Sequence, residues 1–276
     1  MKVISVTPAG RKDYIEILAR HLLQHRSLID EHHFWVNTDF VKDKNSIQSW
    51  CDAYPSFFKA VHIDSKAPRS VKTISNFFRA YCKPDEIYLR FDDDICWIRP
   101  DCVKNLLEFR LANREYFLVY ANTVNHTTCN LVHQQLGCCP KNIDFYFKGE
   151  HASLIHHQFF ENIHSGKTQK YLFERHENKA HERMSVNCIS WFGADLKPIN
   201  GIVDGNEEQF LAVDYPKATG RINCICGDAL VVHFAYGPQR KFLESATRHL
   251  EAYSDLALGR HGVKNYVNHS TSNYFL

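Results

Sequence analysis

Apolar positions follow two different periodic patterns along the first 121 residues. Short apolar, β-branched runs predict strands, and stretches with apolar residues three or four positions apart predict helices. The predicted strands are 2–7, 32–38, 58–64, 86–91 and 115–121, and the predicted helices are 13–24, 70–81 and 101–111. Because strands alternate with helices, the pattern predicts an α/β layer with a mostly parallel central sheet flanked by helices.

The strand at residues 86–91 has the clearest pattern. Ile87, Leu89 and Phe91 recur at every second position, so they should share one buried face. Three aspartates follow at once, in "EIYLRFDDDICW". In open α/β sheets, ligands bind beyond the carboxyl ends of the strands. The aspartates therefore stand where a ligand is expected.

The pattern loosens after residue 121. Residues 122–153 have few long apolar runs and predict loops. Beyond them we predict a helix at 153–164, a strand at 185–193, a short helix at 207–213, a strand at 228–236 and one amphipathic helix at 238–258. Since no repeat, low-complexity segment or linker interrupts the chain, we expect a single domain.

Composition and charge narrow the class of protein. The chain has 276 residues, of which 44% are hydrophobic and 23% charged, as in ordinary globular proteins. A formal charge of +2 argues against a dedicated nucleic-acid binder, although a local basic groove stays open. The start, "MKVISVTPAG", lacks an apolar signal core, and no apolar run reaches membrane-spanning length. We therefore expect no transmembrane segment.

The ten cysteines are irregularly spaced and include no CxxC pair, which argues against a zinc ribbon. Cys138 with Cys139, or Cys224 with Cys226, could bind metal, but buried free thiols are the stronger interpretation. Free thiols indicate a reducing, cytoplasmic setting.

The aspartate run suggests a metal site. In an extended chain Asp92 and Asp94 share a face and Asp93 lies opposite. Two carboxylates on one face suit Mg²⁺ or Mn²⁺, which prefer oxygen ligands and keep positions open for a phosphate. The alternative is a solvated strand end, where aspartate is a common turn residue. We favour the metal, which would stabilise a departing diphosphate and so suggests transfer from a nucleotide diphosphate.

Several stretches, in the same order along residues 2–240, resemble nucleotide-sugar-dependent glycosyltransferases of the GT-A fold. "YLRFDDDICW" resembles their DxD segment, "VISVTPAGRKDYI" the first strand and nucleotide-facing turn, and "SNFFRAYC" the helix before the DxD strand. "VVHFAYGPQR" resembles the late strand whose histidine completes the metal site, and "DGNEEQFL" the acidic segment that carries the base of inverting members. The resemblance implies a GT-A-like domain with a nucleotide-binding half at 1–121, an acceptor-side half at 122–240, and a C-terminal helix and tail at 241–276.

The resemblance also implies roles for individual residues. Asp92, Asp94 and His233 would hold Mn²⁺ or Mg²⁺, and Glu208, or else Glu207, would take the proton from the acceptor. The nucleotide-sugar would be bound by Thr7, Pro8, Arg11, Asn37, Asn76, Arg79, Asp92, Asp93 and Arg240. Trp191 and Phe192 either stack on an acceptor sugar or pack in the core.

The implied function is a metal-dependent, inverting glycosyltransferase that moves a sugar from a nucleotide diphosphate sugar, by default a UDP-sugar, to a hydroxyl of a glycan or other acceptor. The loose spacing of His233, Gly237 and Arg240 departs from the tight motif of many retaining members. A Glu-Glu pair replaces the usual Glu-Asp, which leaves the identity of the base open.

Two alternative functions remain. One is a nucleotidyltransferase, although "TPAGRKD" has one glycine where a Gly-rich loop is usual. The other is a non-catalytic sugar-binding protein on the same fold.

Overall fold

One mixed sheet forms the centre of the protein. The computed structural model describes residues 1–63 and 71–260. The strands in this part of the chain are β1 Lys2–Ala9, β2 Glu31–Val36, β3 Phe58–Val61, β4 Glu86–Phe91, β5 Ile95–Ile98, β6 Val119–Val124, β7 Arg175–Asn178, β8 Cys188–Phe192 and β9 Asn223–His233. Their order is β3-β2-β1-β4-β8-β6-β9-β5, with β7 also pairing with β9.

Six of these nine strands run in one direction. β1, β2, β3 and β4 pair in parallel, as do β6 and β9, whereas β8, β5 and β7 pair antiparallel to their neighbours. The prediction of an α/β domain with a mostly parallel central sheet is confirmed. The carboxyl ends of β1, β2, β4 and β6 therefore open on the same edge of the sheet.

Helices cover both faces of the sheet. They are α1 Lys12–Gln24, α2 Val41–Ala53, α3 Val71–Ile74, α4 Cys102–Ala112, α5 Thr127–Gln135, α6 Gly149–His164, α7 Gly193–Leu196, α8 Glu207–Gln209, α9 Tyr215–Thr219, α10 Gly237–Ala246 and α11 His249–Ala257. A 3₁₀ turn at Ser75–Ala80 follows α3, and a π-helical turn at Phe210–Asp214 joins α8 to α9.

The helices differ from the prediction in several places, among them α5, which lies within residues 122–153 where the pattern predicted loops. The predicted helix 70–81 is mostly a 3₁₀ turn, and the predicted helix 238–258 is broken, because Thr247 adopts an extended conformation between α10 and α11. The sequence pattern did not predict α2, where few apolar side chains are buried. Position 64 of the third predicted strand, position 70 of that helix and the chain beyond 260 lie outside the described residues.

The alternation along β4 sorts its side chains between two cores. Ile87, Leu89 and Phe91 pack with α1, α2 and α4 on one face, as the sequence predicted, and Tyr88 packs on the other. A third apolar cluster joins the end of β9 to α6, α10 and α11. All ten cysteines are free, and nine are buried, in agreement with the interpretation as core thiols. Within residues 1–63 and 71–260, no helix is both long and apolar enough to cross a membrane.

Candidate functional site

The aspartate run forms a tight turn between β4 and β5. The amide of Ile95 donates to the carbonyl of Asp92 at 3.0 Å, and the amide of Asp92 donates to the carbonyl of Asn187 on the approach to β8 at 2.7 Å. The expectation of an extended run is wrong, because residues 92–95 form a turn. Asp93 and Asp94 both contact Arg11, whereas Asp92 pairs with Arg90.

Asp93 anchors the turn that follows β1. Its carboxylate accepts from the amide of Gly10 at 3.1 Å and from Nε of Arg11 at 3.0 and 3.1 Å, and it also contacts Nη2 of Arg11. A Cβ at Gly10 would lie 3.1 Å from the carbonyl oxygen of Asn37, so only a small residue fits easily between the ends of β1 and β2. Asp93 thus holds Arg11 in place at the carboxyl end of β1.

Asp94 lies among three basic side chains. Its Oδ2 is 2.8 Å from Nη2 of Arg240, 3.3 Å from Nη2 of Arg11 and 3.5 Å from Nε2 of His233. Burial alone would raise the pKa of Asp94, but the nearby Arg11, His233 and Arg240 hold it well below the usual aspartate value. Asp94 is therefore an ionised carboxylate.

A backbone carbonyl orients His233. Its Nδ1 lies 3.1 Å from the carbonyl oxygen of Asn125, which can only accept, so Nδ1 carries a proton. Asn125 adopts a left-handed conformation, with φ of 58°. Its side-chain Nδ2 donates to the backbone carbonyl of Phe234 and to Oε1 of Gln239. The other ring nitrogen, Nε2, faces Asp94.

Arg90 binds the carboxylates of Asp92 and Glu207 on the other side of the turn. It is 2% exposed, donates to both carboxylate oxygens of Glu207 at 2.8 and 3.0 Å, and donates from Nε to Asp92 at 2.9 Å. Asn187 donates to the second oxygen of Asp92 at 3.3 Å. Burial, together with Asp94 and Glu207, raises the pKa of Asp92 to about 7, against the opposing effect of Arg90.

Glu208 is more accessible than Glu207. The side chain of Glu208 is 29% exposed and that of Glu207 is 12% exposed. Ser185 donates its hydroxyl hydrogen to one oxygen of Glu208, and Nη2 of Arg183 donates to the other at 2.7 Å. The carboxylate of Glu208 is thus positioned at the open side of the site, whereas Glu207 is held by Arg90.

These groups line one cleft of ≈ 860 Å³ at the carboxyl edge of the sheet. Ten of the predicted site residues line it: Pro8, Arg11, Asn37, Asp92, Asp93, Asp94, Glu207, Glu208, His233 and Arg240. Residues from the N-terminal and C-terminal parts of the described chain therefore lie together in this cleft, although they are far apart in the sequence.

Five predicted site residues lie elsewhere. Thr7 is fully buried, and Asn76 and Arg79 are exposed on the 3₁₀ turn, outside the cleft lining. Trp191 is completely buried, stacks on Tyr88 at 5.3 Å and donates from Nε1 to the carbonyl of Tyr81.

Phe192, the partner of Trp191 in the predicted stacking platform, lies beneath the guanidinium of Arg110, 4.2 Å from its ring centroid. Both residues belong to β8, which has a strand on either side and core on both faces. The acceptor-platform interpretation is therefore corrected to core packing.

The site fits a divalent cation in part. Asp94 and His233 fit, because a carboxylate oxygen and an imidazole nitrogen, both usual ligands of divalent cations, face one another 3.5 Å apart. Asp92 does not fit in this arrangement, because its oxygens accept from Arg90 and Asn187. Among the described residues, no group of three or more His, Cys, Asp or Glu side chains is arranged to hold a metal. The structure thus brings together two of the three predicted ligands.

The cleft also contains residues that the sequence reasoning did not select. Arg90 could have been suspected, because a charged residue inside the apolar run "EIYLRF" must find a partner when it is buried. Arg183 and Tyr146 stand in stretches without a periodic pattern, and Ser185 begins the predicted strand 185–193, so nothing in the sequence assigned them to the site.

Comparison with known proteins gives remote structural similarity. The chain matches no protein-family model and no curated protein sequence. A solved structure of CMP:2-keto-3-deoxy-manno-octonic acid synthetase complexed with CTP has a TM-score of 0.46 at 14% identity, covering 91% of this chain and 99% of that one.

A 4-diphosphocytidyl-2C-methyl-D-erythritol synthase from Anaerococcus prevotii has a TM-score of 0.46 at 9% identity, covering 94% of this chain and 98% of that one. S. aureus TarS 1–349 has a TM-score of 0.48 at 14% identity, covering 99% of this chain and 74% of that one. Similarity this remote carries no information on the reaction.

Proposed function

We propose that this protein is a metal-dependent glycosyltransferase that moves a sugar from a nucleotide diphosphate sugar to an acceptor hydroxyl with inversion. One observation carries the proposal. The facing pair Asp94 and His233, 3.5 Å apart, shares a cleft with the accessible carboxylate of Glu208. A site for a diphosphate and a general base on the acceptor side are the two parts that a single displacement requires.

The diphosphate would bind between Arg11 and Arg240. Both guanidinium groups already contact Asp94, at 3.3 and 2.8 Å, and both are partly exposed to the cleft. The first turn of α10, at Gly237 and Arg240, also lines the cleft, and the positive end of a helix dipole favours an anion there. The nucleoside would then extend toward Pro8 and Asn37 at the ends of β1 and β2.

Asp94 and His233 would hold the cation. A bound Mn²⁺ or Mg²⁺ would supply stabilisation of the negative charge that develops on the departing diphosphate. The protein's own contribution is the orientation of the two ligands: Asn125 fixes the ring of His233, and Arg11 and Arg240 keep Asp94 ionised.

Glu208 would be the base. Its carboxylate accepts from Ser185 and Arg183, which leaves lone pairs free for the hydroxyl of an acceptor. The acceptor oxygen attacks the anomeric carbon as its proton moves to Glu208, and the bond to the diphosphate breaks. Glu207 is a poorer base in this arrangement, because it is less exposed than Glu208 and is held in a bidentate pair by the buried Arg90.

Calorimetric titration of UDP, and then GDP, with and without Mn²⁺ tests the proposal. We expect tight binding that needs Mn²⁺ in the wild type, loss of that binding in Asp94→Ala, and wild-type binding in Asp13→Ala, which removes an exposed aspartate of α1. Circular dichroism checks that both variants are folded. Donor sugars are then screened for release of the nucleotide in the presence of glycan acceptors.

The alternatives give different results in the same experiments. A nucleotidyltransferase would release pyrophosphate from a nucleoside triphosphate and a sugar phosphate, and would not release the sugar from a nucleotide-sugar. A non-catalytic sugar-binding protein would bind without turnover. If neither UDP nor GDP binds in a metal-dependent way, the glycosyltransferase proposal fails.

A further inference from the structure

Two neighbouring aromatic side chains stand exposed in a short loop before α6. Tyr146 is 42% exposed and Phe147 is 67% exposed, and their ring centroids lie 4.9 Å apart at an interplanar angle of 79°. Tyr146 lines the cleft described above. Rings of this size are usually buried, so an exposed pair at a cleft needs an explanation.

The loop that carries the pair is tied to its surroundings. Oδ1 of Asp144 accepts from the amides of Tyr146 and Phe147 at 2.8 and 2.6 Å. The amide of Asp144 donates to Nδ1 of His151 on α6 at 2.7 Å, and Gln239 on α10 donates to the carbonyl of Phe145 at 2.9 Å. The two rings are therefore presented on a fixed backbone, which lowers the entropic cost of binding a ligand on them.

A line of rings connects the pair to the proposed cation site. Tyr146 packs on Tyr236 at 4.8 Å between centroids, and Tyr236 packs on His233 at 4.8 Å. His233 ends β9 and Tyr236 follows it, and β9 lies toward the opposite side of the sheet from β1 and β2. The nucleoside, at the ends of β1 and β2, would therefore lie on the other side of the cation from the aromatic pair.

We propose that Tyr146 and Phe147 form a subsite for a sugar ring of the acceptor, an inference that rests on the proposed glycosyl transfer. A pyranose ring has an apolar C–H face that packs on an aromatic ring and a hydroxyl edge that needs polar partners. The cleft offers both, because Arg183 and Ser185 line the same space as Tyr146. Stacking on an acceptor sugar was one of the two roles that the sequence left open for Trp191 and Phe192.

The test is saturation-transfer-difference NMR with methyl glycosides of glucose, galactose and N-acetylglucosamine, in the presence of UDP and Mn²⁺. We expect at least one glycoside to bind the wild type, and Tyr146→Ala to bind it about tenfold more weakly. Phe147→Ala should weaken it similarly, and Tyr146→Phe should retain it, because the ring is kept. Leu111→Ala removes an exposed apolar side chain of α4, outside the cleft lining, and is the matched control.

Calorimetric titration of UDP with the same variants separates this inference from the proposed function. If UDP binds all variants alike and glycoside binding depends on the ring at position 146, the subsite is supported. If UDP binds but no glycoside does, or Tyr146→Ala binds glycosides as the wild type does, the subsite is refuted and the proposed function stands. Absence of UDP binding refutes the proposed function, while the glycoside data still decide the subsite.

Discussion

Arg90 and Glu207 form a bidentate salt bridge in the cleft. Nη1 of Arg90 donates to Oε2 of Glu207 at 2.8 Å, and Nη2 donates to Oε1 at 3.0 Å. Arg90 lies on β4, next to the aspartate turn, and Glu207 begins α8. The Nε of Arg90 also donates to Asp92. One buried guanidinium therefore links the aspartate turn to the segment that carries Glu208, and the position of Glu208 depends on it.

Removal of this guanidinium should destabilise the protein. We expect Arg90→Met to lower the free energy of unfolding by about 3–5 kcal/mol, because Asp92 and Glu207 would be left as unpaired carboxylates in a largely buried site. Urea denaturation followed by tryptophan fluorescence measures the change.

Lys104→Met is the matched control for that substitution. Lys104 pairs with Glu108 at 3.9 Å on an exposed face of α4, where an ion pair contributes at most about 1 kcal/mol. Equal effects of the two substitutions would contradict the assignment of Arg90 as a structural link.

Glu208→Gln should remove activity without removing the fold. The substitution keeps the shape of the side chain, and its carbonyl can still accept from Arg183 while its NH2 donates to the hydroxyl of Ser185, but an amide cannot take a proton from an acceptor. We expect the transfer rate to fall about 10²–10⁴-fold, with nucleotide affinity and thermal stability close to those of the wild type.

The control for Glu208→Gln is Glu182→Gln, at an exposed position next to Arg183 and outside the cleft lining. If Glu208→Gln retains the transfer rate and Glu207→Gln loses it, the two glutamates exchange roles.

The layout of the fold followed from the sequence because its strands are short apolar runs. The alternation of Ile87, Leu89 and Phe91 was enough to assign their common face, since period-two burial is a local property. The resemblance to GT-A glycosyltransferases assigned Asp94, His233 and Glu208 to one site, and all three side chains line the cleft.

Other features depend on contacts that a local pattern cannot reveal. Trp191 is in the core because β8 has neighbours on both sides, which is a property of the sheet order. The aspartate run is a turn and not an extended strand, and its side chains pair with Arg11 and Arg90, which lie on other strands or turns. Tyr146 lies in a loop that is held by a hydrogen bond from the side chain of Gln239, which is 93 residues further along the chain than Tyr146. Each of these features, which the sequence did not predict, therefore depends on a tertiary contact.

Arg240 should contribute directly to nucleotide affinity. It contacts Asp94 at 2.8 Å and lines the cleft, where we propose that the diphosphate binds. Loss of one hydrogen bond to a charged group is worth about 1.5–3 kcal/mol, so Arg240→Met should weaken UDP binding by about 10- to 100-fold.

The neighbouring Lys241 is exposed and outside the cleft lining, so Lys241→Met controls for loss of a positive charge in the same helix turn. Calorimetry at two salt concentrations measures both variants. Equal losses of affinity would mean that only the overall charge matters, and would contradict a direct contact.

The protein should lose stability in mild acid because several of its histidines are buried. Burial lowers the pKa of His156 and His133 to about 3, and that of His21 and His126 to about 4. These side chains are neutral in the folded state and take up a proton on unfolding at a pKa of about 6.5. Their contribution to stability is therefore complete above about pH 6.5 and is lost progressively as the pH falls toward the folded-state values, by up to about 1.4 kcal/mol per pH unit for each histidine.

His156 offers a direct test of this linkage. It is completely buried, with Nε2 donating to the carbonyl of Phe234 and Nδ1 accepting from the hydroxyl of Tyr253, both at 2.8 Å. We expect His156→Gln to be less stable than the wild type at neutral pH, since it loses that packing. Its unfolding free energy should nevertheless fall less steeply, by about 1.4 kcal/mol per pH unit, between about pH 6 and 5. Urea denaturation at several pH values measures both slopes, with the exposed His62→Gln as the control. Parallel slopes for the wild type and His156→Gln would mean that His156 does not contribute to acid unfolding.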